Sequence, residues 1–208
     1  MIPNSSIQWY DVIDSTNSEV RRLLEQGKLD NLSVIAATCQ TAGRGQGDHK
    51  WTSTPGDNLT FTTAMRFSTD GNGIEMPTSE MLQITCVTTL AIRDFLLDNG
   101  ITARIKWPND IWVGDLKICG ILIENILDGS LVRDSIVGIG LNLNQQSWPE
   151  GIPNPVSMKL LTGRDYEPHS ALEALHEKLR LRFEQLATNE GRVSLEAEFR
   201  QYMFRLEA

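Results

Sequence analysis

The chain has 208 residues, of which 40% are hydrophobic and 22% are charged, a composition typical of one folded domain with an apolar core. Its 19 basic and 27 acidic residues give a formal net charge of −8, which disfavours general binding to nucleic acid. The three cysteines form no CxxC pair, and neither a signal peptide nor an apolar span is visible, so we expect reduced thiols, no zinc site, no membrane contact and a cytoplasmic location.

The first third of the chain reads as strands with one helix between them. We predict strands over residues 7–13, 32–38 and 58–67. The oxygen-bearing side chains of residues 14–17, Asp-Ser-Thr-Asn, can cap a helix whose apolar stripe includes Val20 and Leu24. These four residues are routine helix caps, but hydroxyls and an amide at a helix N-terminus can equally bind a small polar group.

The remainder is helical at both ends of a β-rich segment. We predict a helix over residues 79–98, stopped by Asn99-Gly100, then three strands joined by tight turns within residues 102–144. Further helices are predicted over residues 169–187 and from 194 onward, with His169 and His176 in water. Because few strict strand–helix–strand units occur, the fold class is α+β, with a mixed β-sheet in a single domain over residues 1–208.

The glycine-rich loop, residues 40–51, reads QTAGRGQGDHKW. Its glycines bare the backbone amides, Arg44 and Lys50 add positive charge, and Trp51 offers a surface for stacking a ring. The loop could therefore hold a nucleotide. The alternative is an ordinary charged surface loop, since the loop matches neither the Walker A motif nor the dinucleotide fingerprint.

A second candidate is the stretch IKWPNDIWVGDLKICG at residues 105–120. Pro108 favours extended backbone before it, and Asn109-Asp110 then predict a turn that aims side chains outward. Asp110 can hold a metal ion or its waters beside phosphates, and Lys117 can point its charge into a site. A plain hairpin, with Lys117 in water and Asp110 as a turn cap, is an equally good interpretation.

The third candidate is the strand VGIGLNLN at residues 137–144. Side chains alternate between the two faces of a strand, so one face carries only glycines and asparagines, namely Gly138, Gly140, Asn142 and Asn144. Glycine and asparagine are disfavoured in strands, and strand glycines often mark the close approach of a ligand or of another backbone. We favour a ligand-facing surface over an exposed, bulged edge.

Five blocks in order resemble the catalytic domain of biotin–protein ligases: DSTN at 14–17, QTAGRG at 40–45 with Trp51, KWPNDI at 106–111, KICGILIE at 117–124 and GIGLNLN at 138–144. They cover most of a core over residues 7–145, with a helical part over residues 155–208. The resemblance implies a mixed sheet with helices on one face, related to class II aminoacyl-tRNA synthetases. It also implies a two-step reaction in which biotin and ATP give biotinyl-5′-AMP, and biotin then passes to a lysine of a biotin carboxyl carrier domain, with Mg²⁺ accompanying ATP.

The resemblance assigns each block a role. Arg44 and Lys117 would be catalytic, and Asp110 is the candidate ligand for Mg²⁺. Biotin would be bound by Ser15, Thr16, Asn17, Gln40, Gly43, Arg44, Gly45, Lys117 and Gly120. ATP and the adenylate would be bound by Gln46, Trp51, Asn109, Asp110, Lys117 and Asn142. Gly120, Gly138 and Gly140 would leave room for the ligand.

Two departures from the family pattern stand out. Residues 46–50 replace the arginines that often follow the first GRG, which predicts weaker retention of the adenylate, to be tested by measuring adenylate release before and after Gln46→Arg. We also expect no DNA-binding domain, which some relatives carry. The small C-terminal β-barrel that is usual in the family is expected to be absent or truncated. A homodimer, a lipoate–protein ligase of the same fold and a non-catalytic biotin-binding protein stay open as alternatives.

Overall fold

The computed structural model describes residues 6–47 and 49–204, so residues 1–5, Asp48 and residues 205–208 lie outside the described part. The strands are β1 Ile7–Ile13, β2 Val34–Gln40, β3 Leu59–Arg66, β4 Arg104–Lys106, β5 Asp110–Val113, β6 Leu116–Asp128 and β7 Leu131–Leu141. The α-helices are α1 Thr16–Glu25, α2 Leu82–Asp98, α3 Met158–Thr162, α4 Pro168–Glu184 and α5 Asn189–Tyr202, with short 3₁₀ turns at Thr78–Glu80 and Gln185–Ala187.

The strands form one seven-stranded sheet in the order β1-β2-β3-β7-β6-β5-β4. Strand β2 runs parallel to β1 and antiparallel to β3, so the sheet is mixed and the predicted α+β class is confirmed. The chain has four strands within residues 102–144, where the sequence predicted three. Asp110, read as part of a turn, is the first residue of β5 and pairs with Lys106 on one side and Gly120 on the other.

The chain divides into two compact units, which are described separately. Unit 1 comprises residues 1–81 and 121–140, and in it helix α1 packs on strands β2 and β3. The stripe predicted from Val20 and Leu24 is buried in a cluster with Leu29, Ile35, Ala64 and Ile136. Full burial of one such aliphatic side chain stabilises a fold by about 1.5–3 kcal/mol, which is why the stripe determines the helix's docked face.

Unit 2 comprises residues 82–120 and 141–208, and in it helices α4 and α5 pack on α2. Helix α2 is buried on most sides and ends as predicted, with Gly100 at φ 80° and Ile101 N–H donating to the Leu96 carbonyl at 2.9 Å. The expectation that His176 is solvated is wrong, because it lies on the buried side of α4 and is only 9% exposed. Whether residues 1–208 act as one domain stays a prediction.

Candidate functional site

The first candidate group lies at the N-terminus of helix α1. Ser15, Thr16 and Asn17 are almost completely buried, each less than 5% exposed. Ser15 occupies the capping position, yet its hydroxyl makes no capping hydrogen bond. The carboxylate of Asp14 instead accepts from the Ser15 N–H at 2.8 Å. A simple capping role therefore does not account for the buried Ser15 hydroxyl.

A hydrogen-bonded chain connects helix α1 to two strands of unit 1. The carbonyl oxygen of the Gln40 side chain accepts from the Thr16 N–H at 2.7 Å and from its hydroxyl at 3.1 Å, which leaves the Gln40 amide nitrogen as a donor. Thr62, fully buried in β3, lies 2.8 Å from the Thr16 hydroxyl and donates to Asn17 Oδ1 at 2.6 Å. Thr62 was missed because a threonine in a strand is ordinary.

Glu124 on β6 extends this chain to charged groups. Its carboxylate accepts from Asn17 Nδ2 at 3.0 Å, from Arg21 at 3.2 Å and from Arg44 at 3.0 Å. Partial burial acts to raise the pKa of Glu124, but the hydrogen bond from Asn17 and the positive charges of Arg44 and Arg21 outweigh it and lower that pKa. Glu124 was also missed as a site residue, although it closes the KICGILIE block.

The glycine-rich loop folds back on itself as a tight hairpin. Gly45 N–H donates to the His49 carbonyl at 2.8 Å, and Trp51 N–H donates to the Gly43 carbonyl at 3.1 Å. A side chain on Gly43 is excluded, because a Cβ there would lie 2.3 Å from the Trp51 carbonyl oxygen. Gln46 is exposed at the tip of the loop.

The loop borders a half-open cleft of about 340 Å³, lined by Gln40, Thr41, Ala42, Gly43, Arg44, Gly47, His49, Lys50, Trp51 and Thr52. This volume is at the small end of the usual range for ligand pockets. The Gln40 amide, the Arg44 guanidinium and the loop amides give the cleft donors and positive charge. It can therefore accept a ligand that carries carbonyl or carboxylate oxygens.

The glycine face of β7 serves a different purpose from the one expected. A Cβ on Gly138 would lie 2.1 Å from Asn17 Oδ1, and a Cβ on Gly140 would lie 2.2 Å from Trp51 Cε2. These two glycines thus make room for protein side chains, which corrects the expectation that they leave space for a ligand. Trp51 Nε1 is buried without a hydrogen-bond partner among the described residues, so it is a donor that a bound ligand can satisfy.

The second candidate group belongs to unit 2 and centres on Lys117. Its Nζ lies 2.6 Å from Asp110 Oδ1, and the Lys117 side chain is 31% exposed. The predicted hairpin is therefore present, since β5 pairs antiparallel with β6, but Lys117 is paired with Asp110 and not simply in water. Asp110 is further flanked by Trp112, whose Nε1 lies 3.5 Å from Oδ2, and Lys106 Nζ sits 3.7 Å from the centre of the Trp112 ring. Two cations thus lie near one carboxylate, leaving positive charge for an anionic ligand.

The asparagines at the end of β7 are largely engaged inside unit 2. Asn142 is 4% exposed, and its Nδ2 donates to the Val156 carbonyl at 2.9 Å, which leaves its Oδ1 for a ligand. Asn144 exchanges two hydrogen bonds with the backbone of Tyr166. Both faces of β7 are buried along most of its length, so the alternative of an exposed, bulged edge is wrong, and contact of Asn142 with a ligand stays a prediction. Asn109 is half-buried beside Asp110.

The candidates therefore form two groups. One group lies in unit 1 and contains Ser15, Thr16, Asn17, Gln40, Gly43, Arg44, Gly45, Gln46 and Trp51; the other lies in unit 2 and contains Asn109, Asp110, Lys117, Gly120 and Asn142. Within residues 6–47 and 49–204, no three histidine, cysteine or acidic side chains gather as a metal site. No helix in this described part has the length and apolar character needed to cross a bilayer.

A model of the biotin/lipoate A/B protein ligase family matches residues 9–142, more than half of the chain, and the chain belongs to this family. This stretch includes both candidate groups, from Ser15 to Asn142.

Named relatives and a solved structure agree with this family. The chain is 34% identical over 140 residues to the bifunctional ligase/repressor BirA of Bacillus spizizenii, covering 67% of this chain and 41% of that protein. It is 34% identical over 169 residues to the biotin–[acetyl-CoA-carboxylase] ligase of Paracoccus denitrificans, covering 78% and 66%. The Aquifex aeolicus biotin protein ligase in complex with biotin and ATP superposes with a TM-score of 0.75 at 25% identity, covering 96% of this chain and 78% of that one. The match thus spans less than half of the Bacillus protein.

Proposed function

We propose that this chain is an ATP-dependent biotin–protein ligase, which forms biotinyl-5′-AMP and transfers biotin to a lysine of a carrier domain. The observation that carries the proposal is the family match over residues 9–142, the stretch that contains the buried polar chain around Thr16 and the Lys117–Asp110 pair. The names of the Paracoccus and Aquifex proteins support biotin as the substrate and ATP as the activating nucleotide.

In the first half-reaction, a biotin carboxylate oxygen attacks the α-phosphorus of ATP and pyrophosphate leaves. Negative charge accumulates on the phosphoryl oxygens as the new bond forms. Lys117 is the group that we assign to this charge, because a cation fixed at the reacting phosphorus stabilises the transition state more than the ground state. Asp110 holds the ammonium group through its 2.6 Å ion pair, so that Lys117 is oriented before ligand arrives.

Biotin binding is assigned to the unit 1 group. Arg44 is the charge that meets the biotin carboxylate, while the Ser15 hydroxyl and the Gln40 amide nitrogen are the polar groups that we assign to its ureido end. Thr16 and Asn17 act by holding Gln40 and Thr62 in place as well as by lining the site. The backbone of Gly43 and Gly45 completes the loop over biotin.

The nucleotide is assigned to Trp51, Gln46, Asn109, Asp110 and Asn142. Trp51 offers its indole to adenine, and Asn142 offers its free Oδ1 to an amino group of the base. A Mg²⁺ ion usually keeps most of its ligands as phosphates and waters and needs only one or two carboxylates from the protein. Asp110, a single carboxylate with no acidic cluster around it in the described residues, fits an ion that arrives with ATP. The ion would neutralise phosphate charge.

The second half-reaction supplies the partner. The ε-amine of a carrier lysine attacks the carbonyl carbon of the biotinyl adenylate, AMP leaves and an amide forms. We assign the acceptor role to a biotin carboxyl carrier domain, and the Paracoccus protein, which is named as a ligase of biotin and acetyl-CoA carboxylase, supports a carboxylase as the partner. We place the reaction in the cytoplasm, a reducing compartment that suits the unpaired thiols of Cys39, Cys86 and Cys119.

The test is exchange of labelled pyrophosphate into ATP, measured first with biotin and then with lipoate. Biotin-dependent exchange supports the proposed ligase. Exchange that depends on lipoate selects the lipoate ligase, which the named relatives do not favour. Biotin binding without exchange would select the non-catalytic binding protein, and a gel-filtration run with the same sample decides whether the protein is a homodimer.

A further inference from the structure

Glu124 accepts hydrogen bonds from two separate segments of unit 1, helix α1 and the glycine-rich loop. Its Oε1 accepts from Arg21 of helix α1 at 3.2 Å and from Arg44 of the loop at 3.0 Å. Its Oε2 accepts from Asn17 Nδ2 at 3.0 Å and from Arg44 Nη1 at 3.3 Å. Both oxygens therefore receive two donors each, and the side chain is only 19% exposed.

An acceptor with both oxygens occupied fixes the orientation of its neighbours. A carboxylate has no proton to give while its pKa is lowered, so the Asn17 amide must turn its NH₂ group towards Glu124 and its Oδ1 towards Thr62. Thr62 then donates to Asn17 Oδ1, and the Thr62 hydroxyl oxygen also lies 2.8 Å from the Thr16 hydroxyl oxygen. The Thr16 N–H in turn donates to the side-chain carbonyl of Gln40 at 2.7 Å. The amide orientation set at Glu124 thus continues to the residues assigned to biotin.

The Glu124 carboxylate binds the loop through Arg44 but does not neutralise all the positive charge at this point. Glu124 engages only Nη1 and Nη2 of Arg44, and a guanidinium has five N–H donors. Two arginines against one carboxylate also leave a net charge of about +1 at this point of unit 1. An incoming carboxylate therefore still meets a positive, preoriented group.

We propose that Glu124 is a positioning residue for biotin, acting on Arg44 directly and on Gln40 through Asn17, Thr62 and Thr16. The proposal rests on the proposed biotin ligase function. It assigns to Glu124 no contact with the substrate. What it requires is a negative charge with two acceptor oxygens at this position.

Glu124→Gln is the sharpest test, because it preserves shape and replaces one acceptor oxygen by an NH₂ group. Whichever oxygen is replaced, the two groups that donated to it then face the NH₂ group of the glutamine, which cannot accept a hydrogen bond. We expect the KM for biotin to rise about tenfold, the loss typical of one charge-assisted hydrogen bond, with kcat and the KM for ATP changed by less than about threefold. Glu177→Gln is the matched control, since Glu177 is a surface partner of Arg180 and the charge change is the same; it should leave all three constants unchanged.

Loop docking is measured independently of any ligand by limited trypsin digestion. Cleavage after Arg44 should be about fivefold faster in Glu124→Gln than in the wild type or Glu177→Gln, because opening of the loop controls cleavage there. If Glu124→Gln does not fold, Glu124→Asp, which keeps the charge and withdraws it by one methylene, should show the same changes in smaller measure.

The outcomes separate the two proposals. Unchanged or tighter use of biotin by Glu124→Gln overturns the positioning role, as does an equal loss in kcat and in both KM values, which marks general damage to the fold. A wild-type protein that neither binds biotin nor exchanges pyrophosphate overturns the function instead, and the trypsin rates still report whether Glu124 docks Arg44.

Discussion

At the scale of single residues, Lys117 carries the largest consequence for activity. In Lys117→Ala the transition state loses its nearest fixed cation, and we expect pyrophosphate exchange to fall about 10²–10³-fold, the loss typical of removing one preorganised group. Lys178→Ala is the matched control, because Lys178 is similarly exposed and pairs with Asp98 of helix α2. Exchange within threefold of wild type in Lys117→Ala would contradict the assignment.

Gly140 tests the packing of Trp51. A methyl group there would lie 2.2 Å from the indole, so Gly140→Ala must displace Trp51 and should lower the free energy of unfolding by about 1–3 kcal/mol. Urea denaturation measures this loss. In a Trp51→Ala background the same change should leave the free energy of unfolding almost unchanged, because the indole that the methyl group would displace is absent. Gly73→Ala, where the nearest atom is 3.4 Å away, serves as control.

Some contacts could not be predicted from the sequence, because they join residues that lie far apart along the chain. Lys117 and Asp110 were found as a pair of charged residues near a turn, yet only the antiparallel pairing of β5 with β6 brings them to 2.6 Å. Thr62 and Glu124 were missed because each is unremarkable in its own strand. Their importance comes from partners 46 and 107 positions away, which no local pattern contains.

At the scale of elements, patterns with local physical causes were predicted well. The stripe of α1 and the Asn99-Gly100 stop of α2 follow from side-chain spacing and backbone conformation, and both were found. The β4–β5 hairpin was missed because its strands have only three and four residues. Gly138 and Gly140 of β7 were interpreted as space for a ligand, yet both faces of this central strand are covered, and Asn17 and Trp51 lie against these glycines.

The helices of unit 2 offer a matched pair of arginines on α4. Arg182 is 13% exposed and bonds both Asp94 of α2 and Glu198 of α5, whereas Arg180 pairs only along its own helix. Arg182→Ala would leave the partly buried carboxylates of Asp94 and Glu198 without their positively charged partner, so we expect the free energy of unfolding to fall by about 2–4 kcal/mol. Arg180→Ala should change it by less than about 0.5 kcal/mol. Equal losses in chemical denaturation would mean that Arg182 does not join the helices.

At the scale of the whole molecule, the acidic side chains predict how stability depends on pH. The pKa of Asp14 is lowered to about 2, chiefly by hydrogen bonds from the Arg22 side chain and the Ser15 amide. The pKa of Glu167 is lowered by hydrogen bonds from the Ser170 and His169 amides, and that of Glu177 by its bond to Arg180. Glu124 shares this direction, and all four carboxylates prefer the charged form in the folded chain.

The sign follows from linkage. A carboxyl group whose pKa is depressed by folding contributes stability above its unfolded pKa, which is about 4, and loses it as pH falls through the folded value. We therefore expect the melting temperature to be nearly constant from pH 7 to about 5 and to fall below that, with the contribution of Asp14 lost only towards pH 2. Since most of these groups are exposed, each contribution is small and should shrink in high salt.

Asp14→Asn identifies one contributor within this curve. The amide cannot titrate, so the variant should melt lower than the wild type at pH 7 and the two curves should converge towards pH 2, where Asp14 itself is protonated. Thermal melts at half-unit steps of pH resolve this convergence. A constant offset between the two proteins at every pH would contradict it, because it would show that the charge of Asp14 contributes nothing and that only the shape of its side chain stabilises the start of helix α1.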